Sequence, residues 1–149
     1  MERTPKGIVV DASVAAKWLI PEEDSDKASK IMRSYRDGRT ELYAPDLLVY
    51  EVANVLRYRP DVTTESLTEY VENLFKLQLT LIPPSSDLLC EAATKARALG
   101  LSLYDACYVV LAETLATNLV TADETLYERS KSTDLVFLLK TLGKEWDID

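Results

Sequence analysis

The sequence predicts a single α/β domain over residues 1–149, with a central parallel sheet of about four to five short strands flanked by helices on both faces. The main observation is that short apolar runs alternate along the chain with longer segments of helical periodicity. Composition agrees, because 47% hydrophobic and 28% charged residues are typical of a globular chain. A length of 149 residues also suits one hydrophobic core.

Short runs rich in β-branched or aliphatic residues predict the strands. They cover residues 8–10, 79–82, 118–121 and 135–138. The first run ends at Asp11, and the second ends at Pro83 and Pro84. Residues 42–44 form a brief apolar stretch before Pro45, where the next helix could start.

Segments with apolar residues at helical spacing predict the helices. They cover approximately residues 14–19, 28–35, 46–57, 67–75, 86–99, 103–115 and 123–129. Ser13 is the expected N-cap of the first helix, and Pro21 ends that helix. Gly38 and Gly100 follow the second and fifth helices, as is typical of helix C-termini.

The chain contains no histidine, and its four glycines lie far apart. The absence of histidine excludes Ser-His-Asp and Cys-His catalysis, general acid–base work by imidazole, and zinc sites that contain histidine. The isolated glycines exclude a Walker A loop and a GxGxxG turn. If the chain is an enzyme, we therefore expect carboxylates and a metal ion to carry the chemistry.

Three sequence features bear on the compartment. Residues 1–6 lack the apolar stretch of a signal peptide. The longest uncharged run, residues 77–86, is too short to span a membrane. Cys90 and Cys107 form no CxxC pair, and so few cysteines are typical of a reducing environment. We therefore expect a cytoplasmic protein.

Two aspartates follow predicted strands. Asp11 ends the first strand, and Asp123 follows the strand at residues 118–121. Groups at the carboxyl ends of strands in an open α/β sheet face the crevice where ligands bind. The alternative is that each aspartate caps the turn or helix behind it. Thr121 can donate its hydroxyl into the same crevice or pair in the sheet.

Two further acids lie in predicted helices among apolar residues. At about 100° per residue, Glu51 points in the same direction as the leucines and valines of its helix. The alternative is a salt bridge with Arg57 or another base. Asp105 is the only charge between Gly100 and Ala112, in a helix that should be central to the fold. The alternative is that Asp105 has no role and is merely tolerated, because the helix dipole stabilises an acid in the first turn.

These four acids could meet in one crevice. Two carboxylates at 4 Å repel each other by about 4 kcal/mol at an effective dielectric constant of 20. Protonation could relieve this repulsion, but a divalent cation relieves it with ligands already in place. Oxygen ligands select Mg²⁺ or Mn²⁺ over zinc.

Four stretches of the chain, in this order, resemble the motifs of PIN domains. They are Val9-Val10-Asp11-Ala12-Ser13, Glu51-Val52-Ala53-Asn54-Val55-Leu56, the segment from Gly100 to Tyr108, and Leu119-Val120-Thr121-Ala122-Asp123. In length and in the residues of these motifs, the chain is most similar to the VapC-type toxins of toxin–antitoxin pairs. No acid of the pattern is missing.

The resemblance implies a metal-dependent endoribonuclease, in which a metal-activated water cuts RNA to leave a 5′-phosphate and a 3′-hydroxyl. The carboxylates that would hold Mg²⁺ or Mn²⁺ are Asp11, Glu51, Asp105 and Asp123. The polar side chains that would orient the carboxylates or water are Ser13, Asn54 and Thr121. The family also implies a homodimer, and a cognate antitoxin that occludes the acidic crevice.

The formal net charge of −8 is unfavourable for a protein that binds RNA, because RNA affinity depends largely on lysine and arginine. Lys17, Arg57 and Arg59 could form a local basic rim, or they could be ordinary solvated charges. A dimer partner could also help to hold the substrate.

Other functions remain as alternatives. A PIN-type RNA-processing nuclease would act without an antitoxin, and a non-catalytic adaptor would keep only the fold. An aspartyl-phosphate phosphotransfer domain also places aspartates at strand ends. However, Asp11-Ala12-Ser13 lacks the second acid of a DxD motif.

Overall fold

The computed structural model describes residues 6–148, which fold around one five-stranded sheet. The strands are β1 (Lys6–Val10), β2 (Thr40–Pro45), β3 (Thr80–Ile82), β4 (Asn118–Thr121) and β5 (Val136–Leu138). The helices are α1 (Ala12–Leu19), α2 (Ser25–Arg36), α3 (Leu47–Arg57), α4 (Thr64–Lys76), α5 (Ser86–Leu99), α6 (Leu103–Thr114) and α7 (Glu124–Ser130). This arrangement confirms the predicted fold class, a parallel sheet flanked by helices.

The order of the strands places a crevice at the centre of the sheet. All neighbouring strands are parallel, in the order β3-β2-β1-β4-β5. The chain therefore runs from β1 toward one edge, returns to the centre at β4, and continues to the other edge. Ligands bind to open sheets of this kind where the strand order reverses. Here that point lies at the carboxyl ends of β1 and β4.

The core surrounds these two central strands. Val9, Val10, Leu119 and Val120 are fully buried, and Val10 lies opposite Val120 in the sheet. Helix α6 packs against β1, β2 and β4, and every residue from 106 to 112 is buried. The prediction that α6 is central to the fold is confirmed.

One strand has no counterpart among the sequence predictions. The stretch at residues 42–44 belongs to β2, which begins at Thr40. Polar Thr40 and Glu41 precede the apolar residues, so the run is too short to be recognised as a strand. Pro45 is the last residue of β2 and lies opposite Ile82 of the short strand β3. Proline has no N–H to donate, but Pro45 lies beyond Tyr43, the last residue of β2 that pairs with β1.

The remaining features are the helix lengths and the two cysteines. No helix within residues 6–148 is both long and apolar enough to cross a membrane. Cys90 is exposed, Cys107 is buried, and both are free thiols. The prediction about an N-terminal signal peptide rests on residues 1–6. Of these, residues 1–5 lie outside the described residues.

Candidate active site

The four acids singled out in the sequence line one cleft, with a volume of about 360 Å³, at the carboxyl ends of β1 and β4. Its lining residues are Asp11, Ala12, Ser13, Ala16, Lys17, Glu22, Glu51, Val55, Asp105, Tyr108, Ala122 and Asp123. The fold therefore brings together carboxylates that are far apart in the sequence.

Asp11 is a buried carboxylate at the centre of this arrangement, only 6% exposed. It is the N-cap of α1, and its Oδ1 accepts hydrogen bonds from the Val14 N–H at 3.2 Å and the Ser13 hydroxyl at 2.6 Å. The Thr121 hydroxyl donates to Oδ2. The prediction that Ser13 caps this helix is wrong, because α1 begins at Ala12 and places Ser13 within the first turn.

Ser13 and Thr121 connect the end of β1 to the loop after β4. The Ser13 hydroxyl oxygen accepts a hydrogen bond from the Ala122 N–H at 2.8 Å. The Thr121 hydroxyl oxygen accepts one from the Asp123 N–H at 3.0 Å. Because both hydroxyls also bond to Asp11, they fix the orientation of its carboxylate relative to the loop that carries Asp123.

Burial raises the pKa of Asp11 from 3.8 to about 6, because the charged carboxylate loses its contact with water. Hydrogen bonds from Ser13, Thr121 and the Val14 N–H oppose this increase by stabilising the charged form, whereas the negative charge of Asp123 adds to it. At neutral pH, Asp11 is therefore ionised in surroundings that favour its neutral form.

Glu51 lies beside the buried face of α3 and not within it. Val55, which shares its side of the helix, is 50% exposed. The fully buried positions of this helix are Leu48, Val52 and Leu56. The sequence pattern thus correctly directs Glu51 toward the interior but overestimates its depth, because the helix is rotated so that Glu51 and Val55 line the cleft.

The hydrogen-bond partner of Glu51 is Tyr108 of α6. The Tyr108 hydroxyl donates to Oε1 of Glu51 at 2.6 Å. The alternative of a salt bridge with Arg57 is not found in the described part of the chain, where the Arg57 guanidinium lies 4.7 Å from the centre of the Tyr58 ring. A neutral donor therefore holds Glu51 in place and leaves its negative charge uncompensated.

Asp105 and Asp123 reach the cleft from the starts of two helices. Ser102 caps α6 by accepting the Asp105 N–H at 3.0 Å, so the Asp105 carboxylate is not the cap. Exposed Asp123 caps α7, and its Oδ1 accepts the N–H groups of Thr125 at 2.9 Å and Leu126 at 3.1 Å. Both interpretations of Asp123 are correct, because one side chain caps a helix and lines the cleft.

Electrostatic repulsion links the four carboxylates. Burial raises the pKa of Glu51 and of Asp105, as it does for Asp11. Asp105 raises the pKa of Glu51 further, and Asp123 raises that of Asp105, although a hydrogen bond with Ser102 and the charge of Arg129 oppose the latter increase. Each buried acid thus has a like charge nearby.

The carboxylates are spread around the cleft. Within residues 6–148, no three His, Cys, Asp or Glu side chains form a group that could hold a metal ion in their present positions. Their chemistry nevertheless fits Mg²⁺ or Mn²⁺, since these ions prefer oxygen ligands and relieve the repulsion described above. Coordination would require side chains to turn toward a shared ion.

Two polar members of the cleft, Tyr108 and Glu22, were not predicted from the sequence, and two predicted residues, Thr121 and Asn54, are not among its lining residues. Of the latter pair, Thr121 still bonds to Asp11. Tyr108 lies three positions after Asp105 in a buried helix, and a buried tyrosine hydroxyl needs a partner; this was the available signal. Asn54 is exposed, one turn after Glu51 on α3, and is not among the residues that line the cleft.

A larger cavity, of about 690 Å³, lies between α5 and α6. Lys95 and Glu113 line it and form an ion pair at 3.1 Å, which compensates both charges. The smaller cleft is the better candidate site, because Asp11, Glu51, Asp105 and Asp123 lie at the reversal point of the sheet and none of these four forms an ion pair within residues 6–148.

The comparison with known families agrees with this geometry. A model of the PIN domain matches residues 8–132. The chain belongs to the PIN-domain family. The chain is 33% identical over 126 residues to Ribonuclease VapC3 of Pyrobaculum aerophilum, across 82% of this chain and 93% of that protein. The resemblance inferred from the four motifs is confirmed.

Solved structures share the fold of this PIN-domain chain. PAE2754 from Pyrobaculum aerophilum gives a TM-score of 0.63 at 21% identity and covers 92% of this chain and 93% of its own. VapC20 from Mycobacterium tuberculosis, a toxin that cleaves the sarcin–ricin loop, gives a TM-score of 0.60 at 12% identity and covers 83% of this chain and 95% of its own. FitAcB from Neisseria gonorrhoeae gives a TM-score of 0.63 at 16% identity and covers 91% of this chain and 99% of its own.

The first prediction concerns Asp11→Asn. Since the folded chain binds a proton at Asp11 more tightly than the unfolded chain, wild-type stability should fall as the pH rises from about 4 to about 6. Asparagine can still cap α1 but carries no charge. In EDTA, urea unfolding should show the variant up to about 3 kcal/mol more stable than wild type at pH 7 and nearly equal below pH 4. A variant less stable than wild type at pH 7 would contradict this account.

The second prediction concerns Tyr108→Phe. Loss of the hydroxyl leaves Glu51 without its donor, so the free energy of unfolding at pH 8 should fall by about 1–2 kcal/mol. The loss should shrink at low pH, where Glu51 is protonated and needs the donor less. Tyr127→Phe is a suitable control, because no hydrogen bond of the Tyr127 hydroxyl is found within residues 6–148. Equal losses in the two variants would show that the Tyr108–Glu51 bond contributes nothing specific.

Proposed function

We propose that this chain is a metal-dependent endoribonuclease of the VapC type, with residues 1–149 forming one nuclease domain. The observation that carries the proposal is the single cleft lined by carboxylates at the reversal point of a parallel sheet. The name of the relative Ribonuclease VapC3, at 33% identity, supports RNA as the substrate. The role of VapC20 as a toxin supports the same class.

The proposed metal ligands are Asp11, Glu51, Asp105 and Asp123, with Mg²⁺ or Mn²⁺ as the ion. When bound, the ion supplies charge neutralisation and an activated water for attack on the phosphodiester. The carboxylates come from different elements of the fold, so a bound ion would be held between β1, α3, α6 and the loop after β4.

Three polar side chains that bond to these acids position them as ligands. Ser13 and Thr121 hold Asp11 in one orientation, and Tyr108 holds Glu51. Asp105 lies in the first turn of α6, where the helix dipole stabilises its charge. A role for Asn54 in orienting a carboxylate or water stays a prediction, since its side chain points to solvent one turn away from Glu51.

The proposal includes partners. A cognate antitoxin and a homodimer follow from the similarity to VapC-type toxins. Large exposed aromatic side chains on α3, directly after it and on α4 support contact with another protein, because Tyr50, Tyr58 and Phe75 are 77%, 71% and 58% exposed. Free Cys90 on the surface supports a reducing, cytoplasmic location.

The third prediction tests the activity. Purified chain, free of antitoxin, should cut labelled single-stranded RNA in Mg²⁺ or Mn²⁺ and leave 5′-phosphate ends, and EDTA should abolish cutting. Asp105→Asn should lower the rate by at least about 100-fold, because it removes a proposed metal ligand. Asp87→Asn is the matched control, since Asp87 occupies the first turn of α5 outside the cleft.

Two outcomes would overturn the proposal. The first is wild type that cuts none of a diverse set of RNAs while its metal binding is unchanged by Asp105→Asn, which would favour the adaptor. The second is cutting that Asp105→Asn and EDTA both leave intact. Cutting by a chain that is not inhibited by any small protein encoded in a neighbouring reading frame would instead favour a processing nuclease.

A further inference from the structure

Among the described residues that line the cleft, Lys17 is the one basic side chain. It lies in the last turn of α1, whose cleft-facing residues are Ala12, Ser13, Ala16 and Lys17. The spacing is that of one helix face. Ser13, one turn before Lys17, bonds directly to Asp11. Lys17 therefore extends from the same helix whose Ser13 holds the buried Asp11 carboxylate.

No carboxylate pairs with Lys17 in the described part of the chain. Many of the other lysines have such a partner: Lys27 with Asp24, Lys30 with Asp147, Lys95 with Glu113, Lys131 with Glu128, and Lys140 with Glu124. Those that have none, Lys6, Lys76 and Lys144, are exposed and lie outside the cleft. Lys17 is half-buried beside acids, and yet its charge is left uncompensated.

The fifth acid that lines the cleft, Glu22, pairs with Arg59 and not with Lys17. Its carboxylate lies 3.5 Å from the guanidinium of Arg59. Arg59 is bound in turn to Asp61 at 3.2 Å. The arginine thus engages the cleft acid that stands outside the proposed metal ligands.

The same contacts reduce the number of residues that can form the basic rim predicted from the sequence. Arg59 is engaged by two carboxylates, so its charge is already compensated. Arg57 stacks on Tyr58 and is not among the lining residues. Of the three candidates, only Lys17 presents an uncompensated positive charge to the cleft.

We propose that Lys17 binds a non-bridging phosphate oxygen of the RNA strand and positions its backbone along α1, beside the proposed metal ligands. This inference rests on the proposed function and deepens it by assigning a substrate-binding residue. An ammonium group suits this role, because it binds phosphate as a mobile point charge without requiring a fixed geometry. In a chain with a net charge of −8, one such contact is a large part of the local attraction for RNA.

The test separates RNA binding from RNA cutting. Affinity for a labelled single-stranded RNA is measured in Mg²⁺ at several salt concentrations, in chains that also carry Asp105→Asn so that the RNA stays intact. Lys17→Gln should weaken binding on the order of tenfold at low salt and lower the salt dependence by about one phosphate contact. Lys17→Arg should restore most of the affinity, because it keeps the charge. Lys76→Gln, which removes an exposed lysine at the end of α4, should leave affinity within about twofold.

A parallel measurement uses chains with Asp105 intact. There, Lys17→Gln should raise the KM for RNA cutting and change kcat little, because a backbone contact binds substrate and transition state alike. Unchanged thermal unfolding would show that the fold is intact.

The outcomes distinguish this inference from the proposed function. If wild type cuts RNA while Lys17→Gln shows normal RNA affinity and salt dependence, the role of Lys17 is overturned and the proposed nuclease stands. An equal loss in Lys76→Gln also overturns it, since any positive charge would then suffice. If wild type binds RNA through Lys17 but never cuts, the proposed nuclease fails and the binding role stands. Absence of RNA binding by wild type overturns both.

Discussion

The structure depends on a carboxylate that is held out of water at the centre of the sheet. Asp11 directly follows β1, caps α1 and receives three hydrogen bonds, two of them from hydroxyls that also anchor the loop after β4. These bonds fix its position but do not offset the loss of hydration, since its pKa remains raised to about 6. The local geometry therefore keeps an ionised group where a neutral one would be more stable.

The topology of the parallel sheet places further acids around the Asp11 carboxylate and so forms the candidate site. Because β1 and β4 are neighbours although they are distant in sequence, their carboxyl ends place Asp11 and Asp123 at one edge. Helices α3 and α6 then add Glu51 and Asp105 from the sides. Repulsion among these acids destabilises the fold without a cation and favours binding of a cation, so the same interactions oppose stability and support the proposed chemistry. A single lysine adds a point of attachment for an anion.

Sequence pattern predicted the parts of this arrangement that depend on local periodicity. The strand ends at Asp11 and Thr121, and the buried helix behind Asp105, follow directly from runs of apolar residues. It could not predict which residue caps α1, because Asp11 and Ser13 are both good caps, and the bond from Thr121 that helps to hold Asp11 forms only in the folded sheet. Similarly, a helical wheel gives the direction of Glu51 but not its depth, and only the packing of α6 on α3 shows that Tyr108 is its partner.

The most direct test of the central claim is calorimetric titration of Mn²⁺ into wild type at about pH 6 and about pH 8, in buffers with different ionisation enthalpies. Wild type should bind Mn²⁺ at both pH values and release protons mainly at the lower one, because Asp11 is partly protonated there. Asp11→Asn should weaken binding and abolish most of the proton release. No Mn²⁺ binding by wild type, or binding and proton release that Asp11→Asn leaves unchanged, would contradict the claim that this buried carboxylate belongs to a metal site.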